Sequence, residues 1–266
     1  MSNLLRPFSK TRVLLGFTAT LLFIAGAMVP TRQVQAEDVL VAVAANFLEP
    51  MQALQEPFNK QTGHTIKISA GSTGAFYTQI RNGAPFDVLL AADQERPQLL
   101  EKAGLTVPKS RFTYAIGKLV LWSADPTLIG ADGKDVLQSD KFKYLAIANP
   151  ATAPYGAAAQ KTLENLGLWE QLTPKMVRGN DLAQTFQFVA TRNAQLGFVA
   201  MSQAIGPHGA AGSRWDVPSN LHKPILQDAV LLKRAANNPA ATALMDYLRS
   251  PATQNLIKSY GYDLAN

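Results

Sequence analysis

Three strand-like runs, each followed by a short polar turn and a helix pattern, constrain this chain more than any other feature. They are Asp38–Ala45, His64–Ser69 and Phe86–Asp93. The first and third are close to continuously apolar, as strands buried on both faces are. After the first comes Pro50 and a helix showing Met51, Leu54 and Phe58 on one face, with Pro57 expected to kink it. The second leads into Phe76–Arg81, stopped by Asn82-Gly83, and the third into a helix near 97–103. Such alternation predicts a mostly parallel sheet with covering helices, which binds ligands at the carboxyl ends of its strands.

A longer strand, Tyr114–Trp122, has no following helix of this kind, and after a loop with Pro126 and Gly130 the alternation starts again. Tyr144–Ala148 reads as a strand, Ala157–Leu166 as a helix stopped by Gly167, and Lys175–Arg178 as a short strand. Asn180 is expected to cap a helix carrying Leu182, Phe186 and Val189, ahead of a strand over Leu196–Met201. Residues 205–222 read as loop, 224–232 as a last strand, and Asn238-Pro239 and Ser250-Pro251 open two final helices. The expected architecture is α/β in two lobes, with strands near 114–122 and 225–233 passing between them.

Residues 1–36 stand apart. Arg6, Lys10 and Arg12 precede an apolar run from Val13 to Val29, and Val34-Gln35-Ala36 fits a small-x-small cleavage pattern, so the segment reads as a secretory signal peptide cleaved near Ala36. It holds Arg6, Lys10, Arg12 and Arg32 and no acidic residue, so the rest of the chain carries a net +2 rather than +6. No basic block remains to suggest nucleic acid. With no cysteine in the chain, thiol catalysis, cysteine zinc sites and a lipid-modified cysteine are excluded, and an exported protein must rely on its core. The bacterial periplasm is the expected location.

The turns at the strand mouths carry the chemistry. Gly71-Ser72-Thr73-Gly74 offers backbone N–H groups and two hydroxyls at a helix start, the ingredients of an anion site as well as of an ordinary cap. Asn46 lies at the mouth of the first strand, Tyr155 closes the proline-stiffened loop Asn149–Gly156, and Leu182 follows Asn180-Asp181. No Lys or Arg falls in 43–48, 70–77, 148–158 or 180–187. Donors without formal charge suit a deprotonated tetrahedral dianion, every oxygen of which is an acceptor, with helix dipoles supplying diffuse positive potential. A protonated phosphate would bring a proton needing its own acceptor, at a cost of about 1–3 kcal/mol if unmet. Asp181 fits this only if its carboxylate caps its own helix.

Enzymatic readings are weaker. Asp87 and Asp93 could form a carboxylate pair, but strand-end capping or contacts between lobes explain them as well. His64, His208 and His222 are scattered, and neither a Gly-x-Ser-x-Gly elbow nor a phosphate-loop lysine motif occurs.

Taken in order, Val43-Ala44-Ala45-Asn46-Phe47, Gly71-Ser72-Thr73-Gly74, Ala84–Val88 with Ala91-Ala92-Asp93, Ala148-Asn149-Pro150 with Pro154-Tyr155-Gly156, and Leu196-Gly197-Phe198-Val199 resemble the periplasmic molybdate-binding proteins of ABC transporters over residues 38–262. The resemblance implies a type II two-lobed solute-binding fold: residues 37–117 and 225–266 in lobe 1, 118–224 in lobe 2, the ligand cleft between. It implies a monomer, not an enzyme and without a cofactor, that binds molybdate or tungstate and delivers it to a membrane permease. Sulfate or another oxyanion is the alternative ligand, and a secreted phosphate or sulfate ester hydrolase the alternative class. The family's contacts fall on Asn46 through its amide, Thr73 with Ser72 beside it, Tyr155 through its N–H and hydroxyl, and Leu182 through its N–H. A tyrosine that some members carry after the Leu-Gly-x-Val strand is replaced by Ala200, and Tyr155 is expected to supply that missing hydroxyl.

Overall fold

A computed structural model describes residues 36–265. The leader read over 1–36 lies outside them except for Ala36. Strand β1 (Asp38–Ala44) passes through a 3-10 turn, Ala45–Phe47, into helix α1 (Leu48–Thr62). Pro57 does not end α1, because it sits on the exposed face, where solvent can replace the hydrogen bond it removes. Then come β2 (Thr65–Gly71), α2 (Thr73–Arg81), β3 (Val88–Leu90) and α3 (Glu95–Lys102).

The stretch read as one strand over 114–122 is two, β4 (Phe112–Gly117) and β5 (Leu119–Ser123), and they belong to different sheets. Exposed Lys118 is the joint. Apolar residues run on both sides of it, Tyr114–Ile116 and Leu119–Trp122, which is why the sequence shows no break.

The second half supplies α4 (Gly133–Leu137), β6 (Leu145–Ala148), α5 (Pro154–Asn165), α6 (Trp169–Leu172), β7 (Met176–Gly179), α7 (Leu182–Ala190), β8 (Leu196–Ala200) and α8 (Met201–Ile205). Residues 205–222, expected as loop, contain β9 (Ser213–Asp216), which pairs with β5. The chain ends with β10 (Ile225–Leu231), α9 (Pro239–Arg249) and α10 (Pro251–Ser259), the helices capped by Asn238 and Ser250.

These elements form two five-stranded sheets, ordered β2-β1-β3-β10-β4 and β7-β6-β8-β5-β9. Each has two parallel pairings, around β1 in the first and β6 in the second, and two antiparallel ones beyond. Strand β10 pairs only with β3 and β4, so the chain returns to the first sheet through residues 217–224 rather than along the strand itself. Val39, Val41 and Val43 face one core with Phe47, Met51, Leu54 and Phe58, while Ala42 packs on the other side with Phe76 and Leu89. The second sheet has cores of its own around Leu145, Ile147 and Phe198 and around Val120, Trp122 and Val199.

The strand order places β1 and β3 in the first lobe, and β6 and β8 in the second, with their carboxyl ends feeding helix starts. A bulge adds one feature the sequence hides. Gln227 pairs with Ala115 and Asp228 with Thr113, leaving Tyr114 as the extra residue on β4. Bulges re-aim side chains, and this one lets Tyr114 reach the Gln227 amide.

Candidate oxyanion site

Asn46, Ser72, Thr73, Tyr155 and Leu182 all line one small cleft pocket, completed by Ala44, Ala45, Gly71, Ala92, Ala153 and Pro154. No charged side chain is among the lining residues. Four helix starts surround it, and the first N–H groups of a helix have no partner inside the helix.

At α2, Ser72 is the N-cap: its Oγ accepts from the Ala75 N–H at 3.4 Å. The fully buried Thr73 Oγ1 accepts from the Ala92 N–H at 2.9 Å. A hydroxyl has one proton and two lone pairs. Each of these has lent a lone pair to the protein and, among the described residues, keeps its proton free to donate. The Thr73 N–H is likewise without an acceptor among the described residues, whereas the Gly74 N–H donates to the Thr152 carbonyl of the other lobe at 2.9 Å.

Helix α5 begins at Pro154, three residues earlier than its pattern suggests, because proline suits the first helical position. Tyr155 therefore lies inside the first turn rather than before it, with its N–H among the unpaired donors. At α7 the cap is Asp181, not Asn180. The Asp181 Oδ1 accepts from the Gln184 N–H at 2.9 Å, and the Gln184 side chain accepts from the Asn180 N–H at 2.7 Å. This reciprocal capping turns the carboxylate onto its own helix and leaves the Leu182 N–H at the pocket.

One expected donor is committed elsewhere. Both protons of the Asn46 amide are in use, to Gln227 Oε1 at 2.8 Å and to the Tyr262 hydroxyl at 3.1 Å, so Asn46 offers the pocket its main-chain N–H instead. The Tyr155 hydroxyl is the expected stand-in for a tyrosine at position 200. It accepts from Gln227 Nε2 at 3.2 Å, in the buried seam between the lobes. Burial raises the phenols of Tyr114, Tyr155 and Tyr262 above the ordinary tyrosine range, keeping them protonated donors.

The acidic candidates are structural. Asp87 accepts from the Leu40 N–H and from Arg234, at 2.8 and 2.6 Å. Asp93 accepts from the Arg96 N–H and guanidinium at 2.9 and 2.6 Å, and Arg96 also donates to the Ala151 carbonyl across the cleft at 3.0 Å. Burial raises the Asp93 carboxyl above its usual range, opposed by Arg96. Among the described residues no cluster of His, Cys, Asp and Glu could hold a metal.

The residues missed from sequence are Tyr114, Ser202, Gln227, Tyr262 and Arg96. Gln227-Asp228 in the apolar run from Pro224 to Leu232 was the available signal, since a polar pair inside a buried strand needs partners.

Residues 39–263 match the family model described as bacterial extracellular solute-binding protein. The chain is 52% identical over 258 residues to the molybdate-binding protein ModA of Azotobacter vinelandii, covering 97% of this chain and 99% of that one. It is 51% identical over 227 residues to the ModA of Rhodobacter capsulatus, covering 85% and 88%. Among solved structures, the periplasmic molybdate-binding protein of Azotobacter vinelandii superposes with a TM-score of 0.82 at 43% identity, over 86% of this chain and all of that one. The sulfate-binding protein SubI of Mycobacterium tuberculosis shares the fold, with a TM-score of 0.71 at 16% identity over 87% and 88% of the two chains.

Proposed function

The chain belongs to the bacterial extracellular solute-binding protein family, and on that premise we propose that it captures molybdate, and tungstate with it, and hands the ion to an ABC-transporter permease. It is a binding protein, not an enzyme, and the oxyanion is its ligand rather than a cofactor. The observation that carries this reading is a pocket lined by Asn46, Ser72, Thr73, Tyr155 and Leu182 in which donors abound and no charged side chain appears. Such a pocket suits an ion whose oxygens are all acceptors. The identity of about one half to molybdate-binding relatives narrows that ion to molybdate.

In this account the ligand contacts are the hydroxyls of Ser72 and Thr73 and the main-chain N–H groups of Asn46, Thr73, Tyr155 and Leu182. Lobe 1 (37–117 and 225–266) supplies the first two turns, and lobe 2 (118–224) supplies the others. A ligand touching both lobes favours the closed state because only that state offers all its contacts. The protein acts as a monomer in the periplasm after losing its leader near Ala36. Titration calorimetry with molybdate, tungstate, sulfate and phosphate tests the assignment. Molybdate and tungstate should bind tightly and phosphate not at all, and sulfate binding as tight as molybdate would overturn it.

A further inference from the structure

Beneath the pocket, at the seam between the lobes, lies a hydrogen-bonded cluster whose side chains are not themselves ligand contacts. Its centre is the carbonyl oxygen of Asn46. Tyr262, just beyond α10, donates to it at 2.7 Å, and Ser202, in the first turn of α8, donates to it at 2.9 Å. The Ser202 and Tyr262 hydroxyl oxygens are themselves 3.1 Å apart. All three residues are buried, Ser202 and Tyr262 at 2% and 3% exposure. Phe47 packs edge-on against both Tyr114 and Tyr262, with ring centroids 4.8 and 5.4 Å away, which fixes the phenols.

These partners come from different lobes. Asn46 follows β1, and Tyr262 precedes Asp263, which pairs with Ile116 of β4, so both belong with the first sheet. Ser202 follows β8 of the second. A parallel contact joins Tyr155 on α5 to Gln227 on β10. Gly117, where the chain leaves the first sheet, makes room for that contact: a Cβ there would overlap the Tyr155 hydroxyl and the Gln227 amide.

We infer that Ser202 is a positioning residue for oxyanion retention: it reaches across the seam to the Asn46 carbonyl and, with Tyr262, holds the lobes closed over the occupied pocket. The inference rests on the oxyanion-binding reading above. Accepting two hydrogen bonds on the seam side, the Asn46 carbonyl holds the 3-10 turn with its leading N–H groups toward the pocket. When the lobes part, the Tyr262 bond stays within its lobe and the Ser202 bond breaks. Ser202 therefore acts on release of the ion rather than on its entry.

The test is stopped-flow measurement of molybdate association and dissociation for the wild type, Ser202→Ala, Tyr262→Phe, the double variant and Tyr260→Phe. Tyr260 is the control, since its hydroxyl makes no hydrogen bond among the described residues. Loss of one buried hydrogen bond should speed dissociation by Ser202→Ala about three- to fifteenfold and leave association within about twofold. The double variant should lose less than the product of the single effects, because both hydroxyls serve one oxygen. Melting of Ser202→Ala without molybdate should match the wild type, while its rise on adding molybdate should shrink. An unchanged dissociation rate, or a fall in ligand-free melting as large as the fall with ligand, overturns the inference alone. A wild type that binds no oxyanion overturns this inference together with the functional reading.

Discussion

The main-chain nitrogen of Gly74 donates to the carbonyl oxygen of Thr152 at 2.9 Å, joining the first turn of α2 in one lobe to the loop before α5 in the other. A Cβ at position 74 would lie 2.9 Å from the Thr152 Cα. The second glycine of the Gly71–Gly74 turn is thus explained by the approach of the opposite lobe, not by backbone torsion or by contact with the anion. Gly74→Ala should weaken molybdate binding about tenfold or more, the scale of overpacking in a close contact. Ligand-free melting should change little, since the clash exists only on closure. Calorimetry and thermal melting of the variant check both.

Ser72 caps α2 and also faces the pocket, and one substitution separates the roles. Aspartate is as good an N-cap as serine, and its charge favours a helix N-terminus. Ser72→Asp should therefore melt at or above the wild-type temperature while oxyanion binding is abolished, because a carboxylate then faces a dianion. Ser72→Ala should lose about 1 kcal/mol of stability with the cap. Paired melting and calorimetric runs distinguish the two effects.

The buried phenols make a statement about alkaline pH. Tyr114, Tyr155 and Tyr262 are raised by burial above the ordinary value of about 10. A raised folded value means that the unfolded chain releases these protons first, so stability is fully present below about pH 10 and is lost as the pH rises beyond it. In an absorbance titration three of the seven tyrosines should resist ionisation until the protein unfolds. All seven titrating together in folded protein would contradict the buried seam.

Arg96 pairs with the half-buried Asp93 and reaches the Ala151 carbonyl across the cleft. Arg96→Met should destabilise the protein at neutral pH by about 1–3 kcal/mol, because it leaves a desolvated carboxylate unpaired. Burial raises the Asp93 carboxyl, so this penalty is present where the group must be charged and fades as the pH falls and it protonates. Denaturant melts at neutral and acidic pH measure the difference.

Much of this architecture can be read from the sequence because its strongest signals are local. Apolar runs such as Val39–Ala44, and caps such as Ser72, Asn238 and Ser250, declare themselves within a few residues. The pocket was legible for the same reason: each of its walls is a helix start. Asn46 was read as a donor into the pocket through its side-chain amide because nothing nearby reveals that Gln227, 181 residues after it, takes one amide proton. The bulge at Tyr114 and the change of sheet at Lys118 were hidden too, since both depend on which strand lies alongside. Position 200 shows the limit most sharply. The absence of a tyrosine there is plain in the sequence, but not that the Tyr155 hydroxyl, its expected stand-in, also accepts from Gln227 in the seam.

The central claim is that four helix starts donate to one proton-free oxyanion, with no charged side chain in contact. A crystal structure of the molybdate complex, with the metal located by its anomalous scattering, tests this most directly. The account predicts a single molybdenum centre bounded by Asn46, Ser72, Thr73, Tyr155 and Leu182, with its oxygens meeting only N–H and O–H donors. A metal centre lying elsewhere, or an oxygen held by Arg96 or a lysine, would contradict it.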